Sequence, residues 1–158
     1  GMARIAGTRI TYVKPHGALY NTIVHHEKQA AAVVEALVAF DPELVLMGLP
    51  NAVVLDLAEQ AGLRTVREAF ADRGYMPDGT LAPRGQDGAV LHDADAVAAR
   101  MVQMVTEGTL EAVDGSTLTI EADSICTHGD SPGAIEMAGA VKAALLEADV
   151  EIAPFAPS

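Results

Sequence analysis

The chain has one cysteine in 158 residues, which excludes an intrachain disulfide framework and any cysteine-rich metal site. Basic residues are also scarce, ten against twenty-two acidic, for a net charge of −12. That balance argues against nucleic acid or an anionic membrane as a partner. It says little about a small-molecule substrate, because local cations can still line a pocket. No apolar run approaches the roughly 20 residues of a membrane-spanning helix, and no signal peptide opens the chain. With the single cysteine, this makes a reduced cytoplasm the expected location. Zinc-ligand spacing, a glycine-rich phosphate loop and a nucleophile elbow are all missing. So are internal repeats, low-complexity tracts and a second domain. What is present is apolar: hydrophobic residues make up 50% of the chain. That predicts one globular domain over residues 1–158 with a sizeable core. Gly1 ahead of Met2 reads as a cloning scar.

Strand and helix periods alternate along the chain. Arg9 to Val13 reads as a strand. Ala30, Val33, Val34, Leu37 and Val38 then mark one face of a helix over Glu27 to Phe40, stopped by Asp41-Pro42. Leu44 to Met47 is a continuous apolar run, as in a strand buried on both faces. Asn51 is the expected N-cap of the next helix, which carries Val54, Leu57, Ala58 and Ala61, with Gly62 as its C-terminal stop. Leu63 to Val66 resumes as a strand. From Glu68 to His92 no period holds, and Gly74, Pro77, Gly79, Pro83, Gly85 and Gly88 predict a long loop of the functional kind. A stripe of Ala94, Val97, Ala98, Met101, Val102 and Val105 gives the clearest helix. Leu110 to Ile120, broken at Asp114-Gly115, reads as a hairpin. A strand over Ser124 to Thr127 precedes a last helix from about Ser131 to Leu146, with Ser131 and Pro132 as N-cap and first turn. A short fifth strand is placed at Val150 to Ile152. This order predicts an α/β fold of parallel β/α units with right-handed crossovers. A closed barrel needs roughly 200 residues or more, so the chain is too short for one.

Two stretches place titratable groups just after strands: Lys14-Pro15-His16-Gly17 and His128-Gly129-Asp130. Strands of a parallel sheet that deliver such groups at their C-terminal ends build one shared site. Lys14 suits a phosphate or carboxylate, and His16 suits proton transfer or metal binding. A solvated lysine and a structural histidine explain that pair equally well. His128 and Asp130 precede a helix start, where free N–H groups favour an anion; Asp130 as a simple cap is the competing account. Glu68 is expected at a strand's C-terminal end. Arg73 and Arg84 are fixed cations that fit carboxylate or phosphate. They stand with Tyr75 in the long loop, where ordinary surface ion pairs are the alternative. His25, His26 and His92 read as helix-start residues. Cys126 reads as a buried small hydrophobe.

Four stretches resemble the LamB/YcsF family. They are Tyr12-Val13-Lys14-Pro15-His16-Gly17-Ala18-Leu19-Tyr20-Asn21, Glu68-Ala69-Phe70-Ala71-Asp72-Arg73-Gly74-Tyr75, Leu81-Ala82-Pro83-Arg84 and Ile125-Cys126-Thr127-His128-Gly129-Asp130-Ser131-Pro132-Gly133-Ala134. They occur in family order and spacing. Ala82 departs from the family's more usual valine.

The resemblance implies an incomplete β/α barrel of the glycoside hydrolase/deacetylase type. It implies the A subunit of an ATP-dependent 5-oxoprolinase, which opens the lactam of 5-oxo-L-proline to L-glutamate together with partner subunits B and C. Lys14, Arg73 and Arg84 would then serve phosphate or substrate, with Tyr75. His16, Glu68, His128 and Asp130 are the candidates for proton transfer. ATP is the implied cofactor, bound with or without the partners, and a metal requirement stays open.

Family members carry an acidic first strand and a segment with cysteine and histidine ahead of the first of these blocks, and neither occurs here. A truncation, a misassigned start or a split gene would each produce that. The expectations are an exposed strand edge covered by self-association or a partner, and no 5-oxoprolinase activity from the chain alone. A metal-dependent deacetylase-like hydrolase and a truncated non-catalytic module are the alternative readings.

Overall fold

A computed structural model describes residues 2–130 and 133–156. The elements are α1 (Met2–Ile5), β1 (Tyr12–Val13), α2 (Gly17–Thr22), α3 (Glu27–Phe40), β2 (Val45–Gly48), α4 (Val53–Gln60) and β3 (Thr65–Phe70). They continue as α5 (Ala94–Glu107), β4 (Thr109–Glu111), β5 (Thr117–Thr119), β6 (Ser124–Cys126) and α6 (Ala134–Glu147). Four strands form a parallel sheet in the order β1-β2-β3-β6, and β4 and β5 form an antiparallel ribbon. This is the mixed α/β class that the alternating periods predict. The chain divides into two compact units: the residues through Arg67 together with those from Pro154, and Glu68–Ala153.

In the first unit β2 is the central strand. Tyr12 and Val13 pair with Val45 and Leu46 on one side, and Leu46 to Gly48 pair with Thr65 to Arg67 on the other. Every residue of β2 is buried, which is why its sequence is an unbroken apolar run rather than an alternation. Val45, Met47 and Val66 form a core cluster. Helix α3 packs on α4, and α4 packs on β2. The buried stripe of α3 is Ala30, Val34 and Leu37; Val38, at the flank of the expected stripe, is exposed. His26 caps α3 through its Nδ1, which accepts the Gln29 N–H at 3.3 Å.

Two local readings in this unit are corrected, and one helix is added. Strand β1 holds only Tyr12 and Val13, because the preceding Ile10 is exposed and unpaired with β2. Asn51 takes a left-handed φ of 62° in the turn, so Ala52 is the N-cap of α4. Helix α2 begins at Gly17, the last residue of the Lys14 tetrapeptide, and at six residues is too short to show a period. Gly62 follows the C-cap Ala61 with φ 83°, the left-handed stop expected of it.

In the second unit α5 packs on α6. Their facing stripes bury Val97, Ala98, Met101 and Met104 on α5, and Met137, Val141 and Leu145 on α6. Asp93 caps α5, its Oδ1 accepting the N–H groups of Asp95 at 3.1 Å and Ala96 at 3.0 Å; the neighbouring His92 is exposed. The hairpin turns at Asp114-Gly115, where Asp114 Oδ1 accepts from the Ser116 N–H at 3.0 Å and its hydroxyl at 2.6 Å.

Here too the structure corrects the reading. Strand β3 runs to Phe70 rather than Val66, because β6 supplies ladder partners for Glu68, Ala69 and Phe70. Glu68 therefore lies inside the strand and not at its end. Strand β6 is an edge strand, and Cys126 is only half-buried. Helix α6 starts at Ala134 with Gly133 as N-cap; the expected cap, Ser131-Pro132, lies outside the described residues. Val150 to Ile152 forms no strand, since nothing pairs with it among the described residues. No helix among the described residues is long and apolar enough to cross a membrane.

Candidate functional site

Strands β3 and β6 end side by side, with Phe70 opposite Cys126 and the Ala71 N–H donating to the Cys126 carbonyl at 2.9 Å. Two residues beyond each partner of that last pair stand Asp72 and His128. The parallel register thus delivers both groups to one place. The His128 N–H donates to Asp72 Oδ2 at 3.2 Å. The His128 Nδ1 lies 3.0 Å from Asp72 Oδ1 and 2.8 Å from Oδ2. An ionised carboxylate only accepts, so Nδ1 carries the hydrogen and Nε2 is the basic nitrogen of the neutral ring. The Asp72 side chain is 4% exposed and that of His128 24%, so the carboxylate is sequestered while the ring reaches solvent. The imidazole also stacks on Phe70, with centroids 5.3 Å apart and planes inclined by 25°. Ring and carboxylate together fix the orientation of His128. Glu68 is buried and shares the Phe70 face of β3, two residues away.

The loop after β3 is ordered by internal bonds. The Phe70 N–H donates to the Tyr75 hydroxyl at 2.8 Å. Tyr75 is fully buried, and burial pushes its phenol up to about 12, against the hydrogen bond from Phe70. Arg73 donates through Nε to the Ala89 carbonyl at 2.9 Å and through Nη2 to the Ala82 carbonyl at 2.5 Å. Burial, and then the nearby Arg84 charge, lower the Arg73 pKa. Arg100 of α5 donates through Nη1 to the carbonyls of Ala71 at 3.4 Å and Arg73 at 3.2 Å. Its guanidinium stands 5.5 Å from the Tyr75 ring centroid. These bonds hold the segment that carries Asp72.

The sequence candidates fall into different places. His128 meets Asp72 beside Phe70, with Glu68 on the same face. Arg73 and Tyr75, expected to meet substrate or phosphate, are buried and bonded within the loop. Carbonyl oxygens inside the unit take the donors of Arg73, and the Tyr75 hydroxyl accepts a strand N–H. Arg84 is exposed in a turn, and so is Asp130. Lys14 and His16 belong to the first unit. There the Lys14 ammonium lies 5.7 Å from the Tyr20 ring centroid, and His16 is exposed as the N-cap of α2 without a side-chain cap bond. Among the described residues no three His, Cys, Asp or Glu side chains gather as a metal site.

Sequence reasoning missed Asp72 and Arg100. Asp72 lies between Ala71 and Arg73 in the second family-like block, and a strand that ends at Val66 leaves it in loop. Its spacing signal, two residues past a strand end like His128, appears only when β3 is extended to Phe70. Arg100 carried no signal, being one charge on the polar side of a helical stripe.

The pinning makes a prediction. Tyr75→Phe removes the acceptor of the buried Phe70 N–H and is expected to cost about 1–3 kcal/mol in urea unfolding. The pH dependence separates hydrogen bonding from packing. The unfolded phenol ionises near pH 10 and the folded one near 12. Between these values the unfolded state binds fewer protons, so stability falls as pH rises. Relative to Tyr75→Phe, the parent chain is expected to lose about 2–3 kcal/mol over that window. Parallel pH curves for the two proteins would contradict the assignment.

The comparisons with known proteins agree on one group. The model of the LamB/YcsF family matches residues 1–158. The A subunit of 5-oxoprolinase from Corynebacterium jeikeium is 56% identical over 154 residues, 98% of this chain and 60% of that protein. The protein of the same name from Photorhabdus laumondii is 59% identical over 155 residues, covering 98% and 62%. A crystal structure of a lactam utilization protein from Thermus thermophilus aligns with a TM-score of 0.86 at 42% identity, covering 96% of this chain and 60% of that one. The chain thus spans about three fifths of the length of the relatives it matches.

Proposed function

The chain belongs to the LamB/YcsF family, and from that premise we propose that it provides part of the A subunit of an ATP-dependent 5-oxoprolinase. The reaction opens the lactam of 5-oxo-L-proline to L-glutamate. The relatives that bear the 5-oxoprolinase name support the substrate class. The observation that carries the reading is the Asp72–His128 pair. Lactam hydrolysis needs a base that activates water and an acid that protonates the departing nitrogen.

His128 fills both roles through Nε2. It takes a proton from the water that attacks the lactam carbonyl carbon. The C–N bond then breaks, and the imidazolium returns the proton to the nitrogen, which leaves as the amine of glutamate. Asp72 holds the ring in the tautomer that keeps Nε2 free and stabilises the imidazolium. Glu68 is the next candidate for a proton-transfer role, from the same face of β3.

ATP, when bound, would supply phosphoryl activation of the lactam oxygen, the phosphoryl group being released as phosphate when the carboxylate of glutamate forms. Within the second unit the Arg73 guanidinium donates to carbonyls of the loop, while Arg84 and Lys142 are exposed. On the proposed reading the nucleotide binds at a site completed by the rest of the A subunit or by partner subunits B and C. A cytoplasmic setting fits such a complex.

Reconstitution tests the reading. This chain, and a form extended upstream, are mixed with subunits B and C, and ATP-dependent glutamate formation from 5-oxoproline is measured. The extended form is expected to be active and the 158-residue chain without partners inactive. Glutamate formation by B and C alone, unchanged by adding the extended form, would overturn the assignment.

A further inference from the structure

The second unit holds a cleft of about 650 Å³ that neither Asp72 nor His128 lines. Its volume falls within the range of about 300–1,000 Å³ usual for small-ligand sites. One face of α5 forms a wall, the end of the long loop a second, and the hairpin from Glu111 to Val113 a third.

Two opposite charges flank this space. Arg100 is held from behind, its Nη1 donating to the Ala71 and Arg73 carbonyls. Its Nε and Nη2 bond nothing else among the described residues, and no buried side-chain nitrogen there lacks a partner. That edge of the guanidinium is therefore open to solvent. Glu111 stands on β4 with an exposed carboxylate and no hydrogen-bond partner among the described residues. The two charges are close enough for Glu111 to raise the Arg100 pKa, against the larger lowering by burial, yet no ion pair joins them. Val90, Leu91, Val97 and Val113 give the cleft an apolar wall, and His92, Asp93 and Gln103 add polar groups to its lining. A fixed cation, an unpartnered anion and an apolar wall in one cleft match a ligand that carries both charges and an apolar body.

We propose that this cleft binds a small zwitterion of the α-amino acid class, with its carboxylate on Arg100, its ammonium on Glu111 and its apolar side chain against Val90, Leu91, Val97 and Val113. The site is separate from the Asp72–His128 pair and does not rest on the 5-oxoprolinase reading.

The test is amide-shift mapping by NMR on the 158-residue chain, titrated with L-leucine, N-acetyl-L-leucine and L-leucinamide. Leucine is expected to shift the amides of Gly74, Gly88, Arg100 and Val113. Each analogue, having lost one charge, is expected to bind at least about tenfold more weakly. Glu111→Gln, on an exposed strand position, is expected to abolish the preference for leucine over N-acetyl-leucine while leaving the spectrum folded. Arg100 is kept intact because it also holds two loop carbonyls. Equal binding of the three compounds, shifts confined to other residues, no shifts at millimolar leucine, or a preference that survives Glu111→Gln would each overturn the proposal.

Discussion

Asp72→Asn is expected to lower kcat of the reconstituted, upstream-extended enzyme by about 10²–10⁴-fold with little change in stability. The reason lies in the hydrogen count at His128. The aspartate offers two acceptor oxygens, 3.0 and 2.8 Å from Nδ1, and accepts the His128 N–H as well. Asparagine keeps the shape but replaces one oxygen with an N–H₂ donor. When that donor faces the ring, Nδ1 must accept, and the hydrogen moves to Nε2. The nitrogen meant to take a proton from water then already carries one. Two readouts separate this from a structural defect. The ¹⁵N shifts of His128 in the 158-residue chain are expected to exchange between the two ring nitrogens. KM for 5-oxoproline is expected to change far less than kcat, because the carboxylate is buried behind the ring and does not meet substrate. An Asp72→Asn enzyme with unaltered kcat would remove the pair from the mechanism.

Gly74→Ala is expected to be the most destabilising single-methyl change in the long loop. A Cβ at Gly74 would stand 2.2 Å from the Gly88 carbonyl oxygen and 2.9 Å from Val113 Cγ1. The backbone has little freedom to retreat. The Gly74 N–H donates to the Ala89 carbonyl at 3.1 Å, and its own carbonyl accepts the Ala82 N–H at 2.9 Å. The clash is with another backbone group, itself part of the pinned loop, so relief requires moving the segment that presents Asp72. A cost of about 3 kcal/mol or more follows, or a Tm lowered by roughly 10 °C for a chain of this size. Gly85→Ala is the control: nothing lies within 4 Å of its Cβ position, and its effect is expected to stay within about 0.5 kcal/mol. Equal melting temperatures for the two variants would contradict this packing.

The two outcomes connect fold to chemistry. Arg73, Tyr75 and Arg100 carry charge or a hydroxyl, yet they act inside the protein on carbonyls and strand N–H groups. Under the proposed mechanism their effect on catalysis is indirect, through the position of Asp72. Substituting any of them is expected to disturb His128 orientation only through this loop.

Much of this was legible in the sequence. Helices α3 and α5 follow from apolar residues at helical spacing, and β2 from a run apolar enough to be buried on both faces. The hairpin follows from Asp114-Gly115, whose turn is closed by the side chain of Asp114 itself. Such features depend on neighbours a few residues apart, and local chemistry is sufficient to specify them. The four family-like blocks include both Asp72 and His128. What residue types could not convey was who faces whom. Glu68 to Phe70 become strand because β6, more than fifty residues on, offers ladder partners. That one long-range pairing moves the strand end and places Asp72 beside His128. The sequence determined which periods, turns and charges were available. Only the tertiary structure decided which charges met each other and which met water, because hydrogen-bond register and burial are set by segments distant along the chain.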